Sequence, residues 1–127
     1  MHRLEVQRIP FSQDADARLR MLKARTGITP NILCRMGFCL SLEEPGVPGK
    51  DLCSASGGRE INRYTLVGKY DSAFQGLLTA RLIEDGAPLD KLDSYFIGHM
   101  NRGVELLAAR VRTLVDLSNL VPQPAGE

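Results

Sequence analysis

A helix end and a helix start stand side by side in Thr26-Gly27-Ile28-Thr29-Pro30-Asn31. Glycine closes helices in the left-handed conformation at little steric cost, so Gly27 is placed to end one helix. Thr29 is suited to cap the next helix, and Pro30 suits its first position. The stretch therefore predicts two helices, over residues 13–26 and 30–42, which meet at one tight turn.

The segment before the first predicted helix, residues 3–11, has the alternation of a short strand. Leu4 and Val6 point to one side of an extended chain, and Pro10 restricts such a strand to a sheet edge or ends it. A single strand needs a partner, and the simplest one is the same strand of a second chain across a two-fold axis. That pairing predicts the fold of ribbon-helix-helix DNA-binding proteins. The alternative is an N-terminal arm that packs on the helices of its own chain.

A connection rich in Gly, Pro and Ser, residues 45–58, follows the second predicted helix. Connections longer than about 12 residues are usually functional or mobile. Its Ser/Gly run ends at Arg59 and is compatible with a backbone nest for a phosphate, although the Gly-x-x-x-x-Gly-Lys spacing of nucleotide-binding loops is absent. A plain flexible loop is the alternative. The β-branched and aromatic composition of residues 60–67 predicts a short extended piece.

Two further helices are predicted in the C-terminal half. The third covers residues 72–85, with Asp71 as its cap and Gly86 as its end. The chain then ends in residues 122–127, which are expected to fray.

The fourth predicted helix is the longest and reaches Asn119. Asp90 and Asp93 stand at its start in the spacing of a capping pair. Gly98 and Gly103 each cost a helix about 1 kcal/mol relative to alanine. We therefore expect them to mark the close approach of another helix or another subunit.

Basic residues are concentrated in the first third of the chain. The whole chain carries a net charge of +1, from 16 Lys and Arg against 15 Asp and Glu. Residues 1–42 hold seven basic and three acidic residues, a net +4, whereas residues 43–127 hold nine and twelve, a net −3. Because attraction to phosphate depends on local clustering, this asymmetry indicates a polyanionic partner. A solvated helix face without a partner is the alternative.

Residues for metal or acid-base chemistry are few and scattered. Cys34, Cys39 and Cys53 form no Cys-x-x-Cys pair and have no histidine at ligand spacing, so neither a metal site nor a cofactor is predicted. His99 lies beside the apolar stripe of the fourth helix, which favours a structural role over a catalytic one. No uncharged run reaches the roughly 18 residues of a membrane helix, and no signal-peptide pattern is present. We therefore expect a cytoplasmic binding protein and not an enzyme.

Three stretches carry a resemblance that spans nearly the whole chain: residues 26–35, 58–68 and 99–103, which read TGITPNILCR, GREINRYTLVG and HMNRG. Together they resemble the DndE family of bacterial DNA sulfur modification (phosphorothioation) proteins. The resemblance implies a mainly helical, ribbon-helix-helix-related protomer that assembles as a homotetramer. It also implies binding to double-stranded DNA, with a preference for nicks, beside the other DNA sulfur modification proteins that replace a non-bridging phosphate oxygen with sulfur. It implies no catalytic residue.

A single mainly α domain of the DndE type, residues 1–127, is therefore expected. It divides into the basic strand-helix-helix unit (1–42), the Gly/Pro/Ser-rich connection (45–58) and a helical C-terminal part (71–119).

The leading functional hypothesis is that the basic unit binds the DNA backbone. Glu5 on the polar side of the strand would repel phosphate, which moves the expected contact to the first helix. The residues expected to contact DNA are Arg18, Arg20, Lys23 and Arg25, with Arg3 and Arg8 behind them.

Two other hypotheses belong to different classes. The chain could be an interaction adaptor that docks on the other sulfur modification proteins through residues 98–103. It could also be an enzyme that acts on a small phosphorylated ligand held by residues 54–59.

An oligomer is expected on packing grounds. The second helix is apolar around most of its circumference and the fourth has a long apolar stripe, so one chain with few aromatic residues has limited means to cover both. We predict an even-numbered assembly, most simply a homotetramer with two-fold axes.

Overall fold

A two-stranded sheet and a set of helices make up the part of the chain that the computed structural model describes, residues 2–112 and 114–118. Short 3₁₀ turns, Gly68–Tyr70 and Leu89–Lys91, precede two of the helices. In chain order the elements are β1 (Arg8–Ser12), α1 (Gln13–Thr26), α2 (Pro30–Glu43), α3 (Lys50–Cys53), β2 (Gly57–Asn62), α4 (Arg63–Val67), α5 (Asp71–Asp85), α6 (Leu92–Arg110) and α7 (Leu114–Ser118). The mainly helical class with its strand-helix-helix start is confirmed.

The turn between α1 and α2 has the predicted form. Gly27 adopts φ 75°, in the left-handed region, and its N–H donates to the carbonyl of Lys23 at 2.8 Å. Thr29 occupies the N-cap position of α2, but its hydroxyl donates to Asn31 Oδ1 at 2.6 Å and caps no backbone group. Ser12 provides a cap that the sequence analysis missed, since its hydroxyl oxygen accepts the N–H of the third residue of α1 at 3.0 Å.

Strand β1 finds its partner within the chain. It pairs antiparallel with β2, with Ile9 opposite Ile61. On its other side, the Asn101 side chain of α6 accepts the Ser12 N–H at 3.1 Å and donates to the Pro10 carbonyl at 3.1 Å. The prediction that the strand pairs with the same strand of a second chain is therefore wrong. Its pairing side is taken by β2, and on the other side Asn101 already binds backbone groups of Pro10 and Ser12.

The connection after α2 is more ordered than its composition suggested. It contains the helical turn α3, and β2 already begins at Gly57. The extended piece predicted for residues 60–67 ends at Asn62, because the Asn62 side chain caps α4 by accepting the Tyr64 N–H at 2.8 Å. The second half of that piece is therefore a short helix.

The starts of α5 and α6 correct two predicted caps. A 3₁₀ turn leads directly into α5, so Asp71 lies within its first turn and is not its cap. Asp93 likewise caps nothing, and the Asp90/Asp93 capping pair is wrong: Asp93 accepts the backbone N–H groups of Glu5 at 2.9 Å and Val6 at 3.2 Å. These bonds tie the N-terminal arm to α6.

The predicted fourth helix is broken near its end. Helix α6 stops at Arg110, and Val111 is extended, with φ −120° and ψ 120°, and fully buried. The prediction of one helix through Asn119 is therefore wrong, although α7 resumes the helical path. Asn119 itself and the tail predicted to fray, residues 122–127, lie outside the described residues.

Helices α2 and α6 form the centre of the fold. A Cβ atom on Gly37 would lie 2.6 Å from the Gly103 carbonyl carbon, so only glycine allows this crossing. Around the crossing, the Phe38 ring lies 5.3 Å from that of Phe74 and 5.4 Å from that of Phe96, measured between centroids. Close approach at Gly103 is thus confirmed, and its partner is a helix of the same chain.

Two arginines close the C-terminal end of α2. Arg81 donates to the carbonyls of Glu44 at 2.8 Å and Gly46 at 2.7 Å, and pairs with Asp85 at 2.9 Å. Arg102 donates to the Ser41 carbonyl at 2.8 Å. Carbonyls at a helix C-terminus lack intrahelical donors and carry partial negative charge, so both guanidinium groups stabilise this end.

Candidate nucleic-acid interface

Helix α1 buries the stripe predicted for it and presents its cations to solvent. Ala15, Leu19, Leu22 and Thr26 are buried. At 100° per residue, the four cations fall on the two borders of the outward face. Arg18 and Arg25 lie on one border, and Arg20 and Lys23 on the other.

The two cations nearer the start of α1 are paired with acidic residues one turn earlier. Arg18 Nε lies 2.8 Å from Asp14 Oδ2, and Arg20 Nη2 lies 3.2 Å from Asp16 Oδ2. The Arg20 side chain is still 72% exposed, whereas that of Arg18 is 38% exposed. The Arg18–Asp14 pair is exposed at both ends, and pairs of this kind are weak and exchange readily with other anions.

Lys23 and Arg25, at the end of α1, are exposed and form no ion pair among the described residues. Arg25 also lines a cleft of about 590 Å³ between α1 and the end of α6, where it faces Arg112, Met21 and Ala108. Two arginines therefore border one open cleft. Of the two, Arg112 lies beside a carboxylate, since its backbone N–H donates to Asp116 Oδ2 at 2.9 Å.

Arg59 adds a cation that the sequence analysis did not place at this surface. Its guanidinium Nε lies 2.7 Å from Asp16 Oδ1, and its backbone N–H donates to Asp16 Oδ2 at 3.1 Å. This hydrogen-bonded contact holds the pKa of the Asp16 carboxyl below its usual value, against the opposing effect of burial. In the segment predicted as a phosphate nest, Ser54–Arg59, the backbone N–H and the guanidinium of Arg59 are therefore already bound to a carboxylate of the same chain. Only the three-dimensional packing of β2 on α1 reveals this contact.

Arg3 and Arg8 have less favourable surroundings. Arg8 pairs with Glu60 of β2 at 3.1 Å, with both side chains more than half exposed. Arg3 borders a small cleft together with Glu5, Asp90 and Asp93, where carboxylates outnumber it. Nearby carboxylates therefore offset the charge of both residues.

His99 is buried in the α2–α6 interface. Its Nδ1 lies 2.8 Å from Ser41 Oγ, and its Nε2 has no hydrogen-bond partner among the described residues. Burial, helped by the positive charges of Arg102 and Arg81, lowers the pKa of His99 to about 4. A histidine in this position stays neutral near pH 7 and contacts no open cleft described above.

Comparison with known proteins decides the family. Residues 8–113 match the family profile of the DNA sulphur modification protein DndE. The chain belongs to the DndE family. The matched range runs from the first residue of β1 through the end of α6 and contains all four cations of α1, whereas Arg3 lies outside it.

Two solved DndE structures share the fold. The crystal structure of DndE from Escherichia coli B7A, involved in DNA phosphorothioation modification, is 25% identical to this family member and superposes with a TM-score of 0.66. The match covers 85% of this chain and all of that one. A mutant DndE involved in DNA phosphorothioation has 23% identity and a TM-score of 0.62, with 82% and 99% of the two chains covered. Curated proteins gave no match.

The described residues contain no group of three or more His, Cys, Asp or Glu side chains placed to hold a metal ion. No helix among them is both long and apolar enough to cross a membrane.

Proposed function

We propose that this DndE-family protein is a non-catalytic component of a DNA sulfur modification system that holds double-stranded DNA by its phosphate backbone. The observation that carries the proposal is the pair of exposed, uncompensated cations Lys23 and Arg25 at the end of α1. Arg20 extends the pair along one border and Arg112 extends it across the cleft to α6. The family's role in DNA sulfur modification makes DNA the fitting polyanion.

The shape of α1 favours phosphate contacts over base reading. Ala17 and Ala24 are exposed on the outward face between the two cationic borders. Met21 also lies on this face, at 40% exposure, but the small side chains of Ala17 and Ala24 let a DNA backbone approach while the longer arginine and lysine side chains reach phosphates on either side. Such contacts position a protein on DNA without reading sequence.

A nick fits this mode of binding. Bending an intact duplex costs several kcal/mol on the scale of a protein site, and an interrupted strand lowers that cost. Nicked DNA would therefore bend to bring phosphates onto both cationic borders of α1 more readily than intact DNA would. A preference for nicks is part of the proposal for this reason.

Assembly into an even-numbered oligomer, most simply a homotetramer, completes the proposal. The faces of α2 and α6 that were expected to lie between subunits largely cover one another within the chain. Exposed apolar side chains remain on several elements, and α5 carries two of them, Leu77 at 51% and Ile83 at 65% exposure. Contact between copies through α5 would place several α1 surfaces in one particle.

A salt titration tests the binding mode. Fluorescence anisotropy with an intact and a nicked duplex should give a log-log slope of affinity against salt of about −0.9 per phosphate contacted. We expect a slope of about −3 or steeper, since at least Arg20, Lys23 and Arg25 would each contact a phosphate. A salt-independent affinity would contradict backbone binding.

The adaptor hypothesis loses the surface first suggested for it. Gly98 and Gly103 are buried against other parts of the same chain, so residues 98–103 offer little surface to a partner. The exposed face of α5 is the surface an adaptor would use instead. Charge reversal on α1 separates the two functions, because it should abolish DNA binding while leaving an α5-mediated protein contact intact.

A further inference from the structure

A second cleft lies away from α1, between α3 and the first turns of α6. Its volume is about 450 Å³, within the range of small-molecule sites. Pro48 forms part of its wall, and the side chains that could bind a ligand are Lys50, Cys53, Ser54, Lys91, Ser94 and Tyr95.

The walls of this cleft are fixed by close packing. A Cβ atom on Gly98 would lie 2.5 Å from Cys53 Sγ and 3.0 Å from Pro48 Cβ. Helix α3 is thus held directly against α6 where α6 lacks a side chain. Lys50 on α3 and Lys91 at the start of α6 therefore stand on packed elements on either side of the opening.

The cleft is cationic and carries free hydrogen-bond donors. Neither Lys50 nor Lys91 forms an ion pair among the described residues, and no carboxylate is among the cleft's lining residues. The hydroxyls of Ser94 and Tyr95 have no hydrogen-bond partner in the described part of the chain. Two ammonium groups and two free hydroxyls therefore border one opening.

We propose that this cleft binds a phosphate monoester, carried either by the 5′ end of a DNA strand or by a free nucleotide. A phosphate monoester carries a charge of about −1.5 to −2 at pH 7, whereas a diester within a strand carries about −1. The charge of two lysines matches that of the monoester. The Tyr95 ring and Pro48 offer apolar surface to the nucleoside or DNA end that carries the phosphate. The cleft is separate from the cations of α1. Binding of a DNA 5′ end in it rests on the proposed function, whereas binding of a free nucleotide does not.

Cys53 is a built-in reporter of occupancy. It lies half-buried in the cleft, Cys39 is exposed on α2, and Cys34 is fully buried. Alkylation by N-ethylmaleimide, followed by mass spectrometry of peptides, measures each thiol in the same sample. A ligand at ten times its dissociation constant should slow alkylation of Cys53 about tenfold and leave Cys39 unchanged.

Three probes test the proposal and distinguish the two sources of the phosphate monoester. They are adenosine 5′-monophosphate, a nicked duplex with a 5′-phosphate at the nick, and the same duplex with a 5′-hydroxyl. Protection by the phosphorylated nick alone assigns the site to a DNA end. Protection by the nucleotide assigns it to a free phosphate monoester. Equal protection by the two nicked duplexes, or none by any probe, overturns the proposal.

Variants connect the protection to the two lysines. The double change Lys50→Gln and Lys91→Gln should remove protection of Cys53, whereas Lys69→Gln, an exposed lysine on another turn, should retain it. Retained protection in the double variant would overturn the assignment. Salt-dependent binding of an intact duplex reports on α1 separately, so its absence with protection retained would count against the proposed function and not against this cleft.

Discussion

At the scale of single residues, the crossing of α2 and α6 depends on two glycines. Replacing Gly103 by alanine places a Cβ atom against the Gly37 backbone, which cannot move aside as a side chain could. We expect Gly103→Ala to lower the free energy of unfolding by about 1–3 kcal/mol. Urea unfolding followed by circular dichroism measures this change.

Gly76→Ala is the matched control. Gly76 lies inside α5, and a Cβ atom there meets nothing within 4 Å. Alanine favours helix at such a site, so a gain of about 0.5–1 kcal/mol is expected. A loss equal to that of Gly103→Ala would mean that glycine at the crossing has no special role.

His99 makes stability depend on pH. Its folded pKa is about 4, against 6.5 for the free side chain, so between these values the unfolded chain binds more protons than the folded one. Stability should therefore fall as pH drops from about 6.5 to about 4, by at most roughly 3 kcal/mol. Below that range His99 lowers the free energy of unfolding no further. Asp16 then begins to lower it, because its pKa is lower in the folded chain than in the unfolded one.

His99→Gln provides the test of this assignment. Glutamine can retain a hydrogen bond to Ser41 but does not titrate. Urea unfolding of both proteins at pH 7, 6, 5 and 4.5 should show a smaller pH dependence for the variant. An unchanged profile would assign the loss to other groups.

At the scale of elements, Asp16 joins α1 to β2. It accepts both the side chain and the backbone N–H of Arg59 and also pairs with Arg20. Asp16→Asn should lower the free energy of unfolding by on the order of 1–3 kcal/mol, because the half-buried Arg59 loses its counter-ion. Hydrogen exchange should become faster in β2 before it does in α2.

Asp14→Asn is the control for that change. Asp14 pairs with Arg18, one helical turn further along α1, as Asp16 does with Arg20. The Asp14 side chain is 60% exposed, so loss of its pair should cost less than about 1 kcal/mol. Comparable destabilisation by both variants would contradict the special position of Asp16.

Elements with local signals were predictable from the sequence, and those with distant causes were not. Helices α1 and α2 follow from the turn at Gly27 and Pro30, which acts over a few residues. The partner of β1 begins 45 residues after it ends, at Gly57, and no pattern in β1 identifies it. The break of the helix at Val111 could not be predicted either, because no Gly or Pro lies near this position. Val111 is fully buried, so the packing of its side chain in the core determines where the helix ends.

The residues of the candidate interface also divide into those that the local sequence predicts and those that only the packed fold places. The cations of α1 were predictable, because helical spacing alone places them on the borders of a buried stripe. Arg59 and Arg112 come from distant elements, so only the packed fold brings them beside α1. Arg3 shows the converse, since nearby carboxylates from the start of α6 offset a charge that looked available in the sequence.

At the scale of the whole molecule, the open apolar face of α5 predicts self-association. Sedimentation velocity at micromolar concentration should give an even-numbered oligomer, most simply a tetramer. Leu77→Glu, which places a charge among exposed apolar side chains, should dissociate it and weaken DNA binding while leaving helicity unchanged. A wild-type monomer would refute the assembly.

The most direct test of the central claim, DNA backbone binding by α1, is a charge reversal. Anisotropy titrations of a nicked duplex should compare the wild type with the double variant Lys23→Glu and Arg25→Glu, and with Lys69→Glu as a single charge reversal on another surface. We expect the double variant to bind much more weakly, with a salt slope shallower by about 2, whereas Lys69→Glu should retain the wild-type slope. Equal affinity and slope in the double variant and the wild type would contradict it.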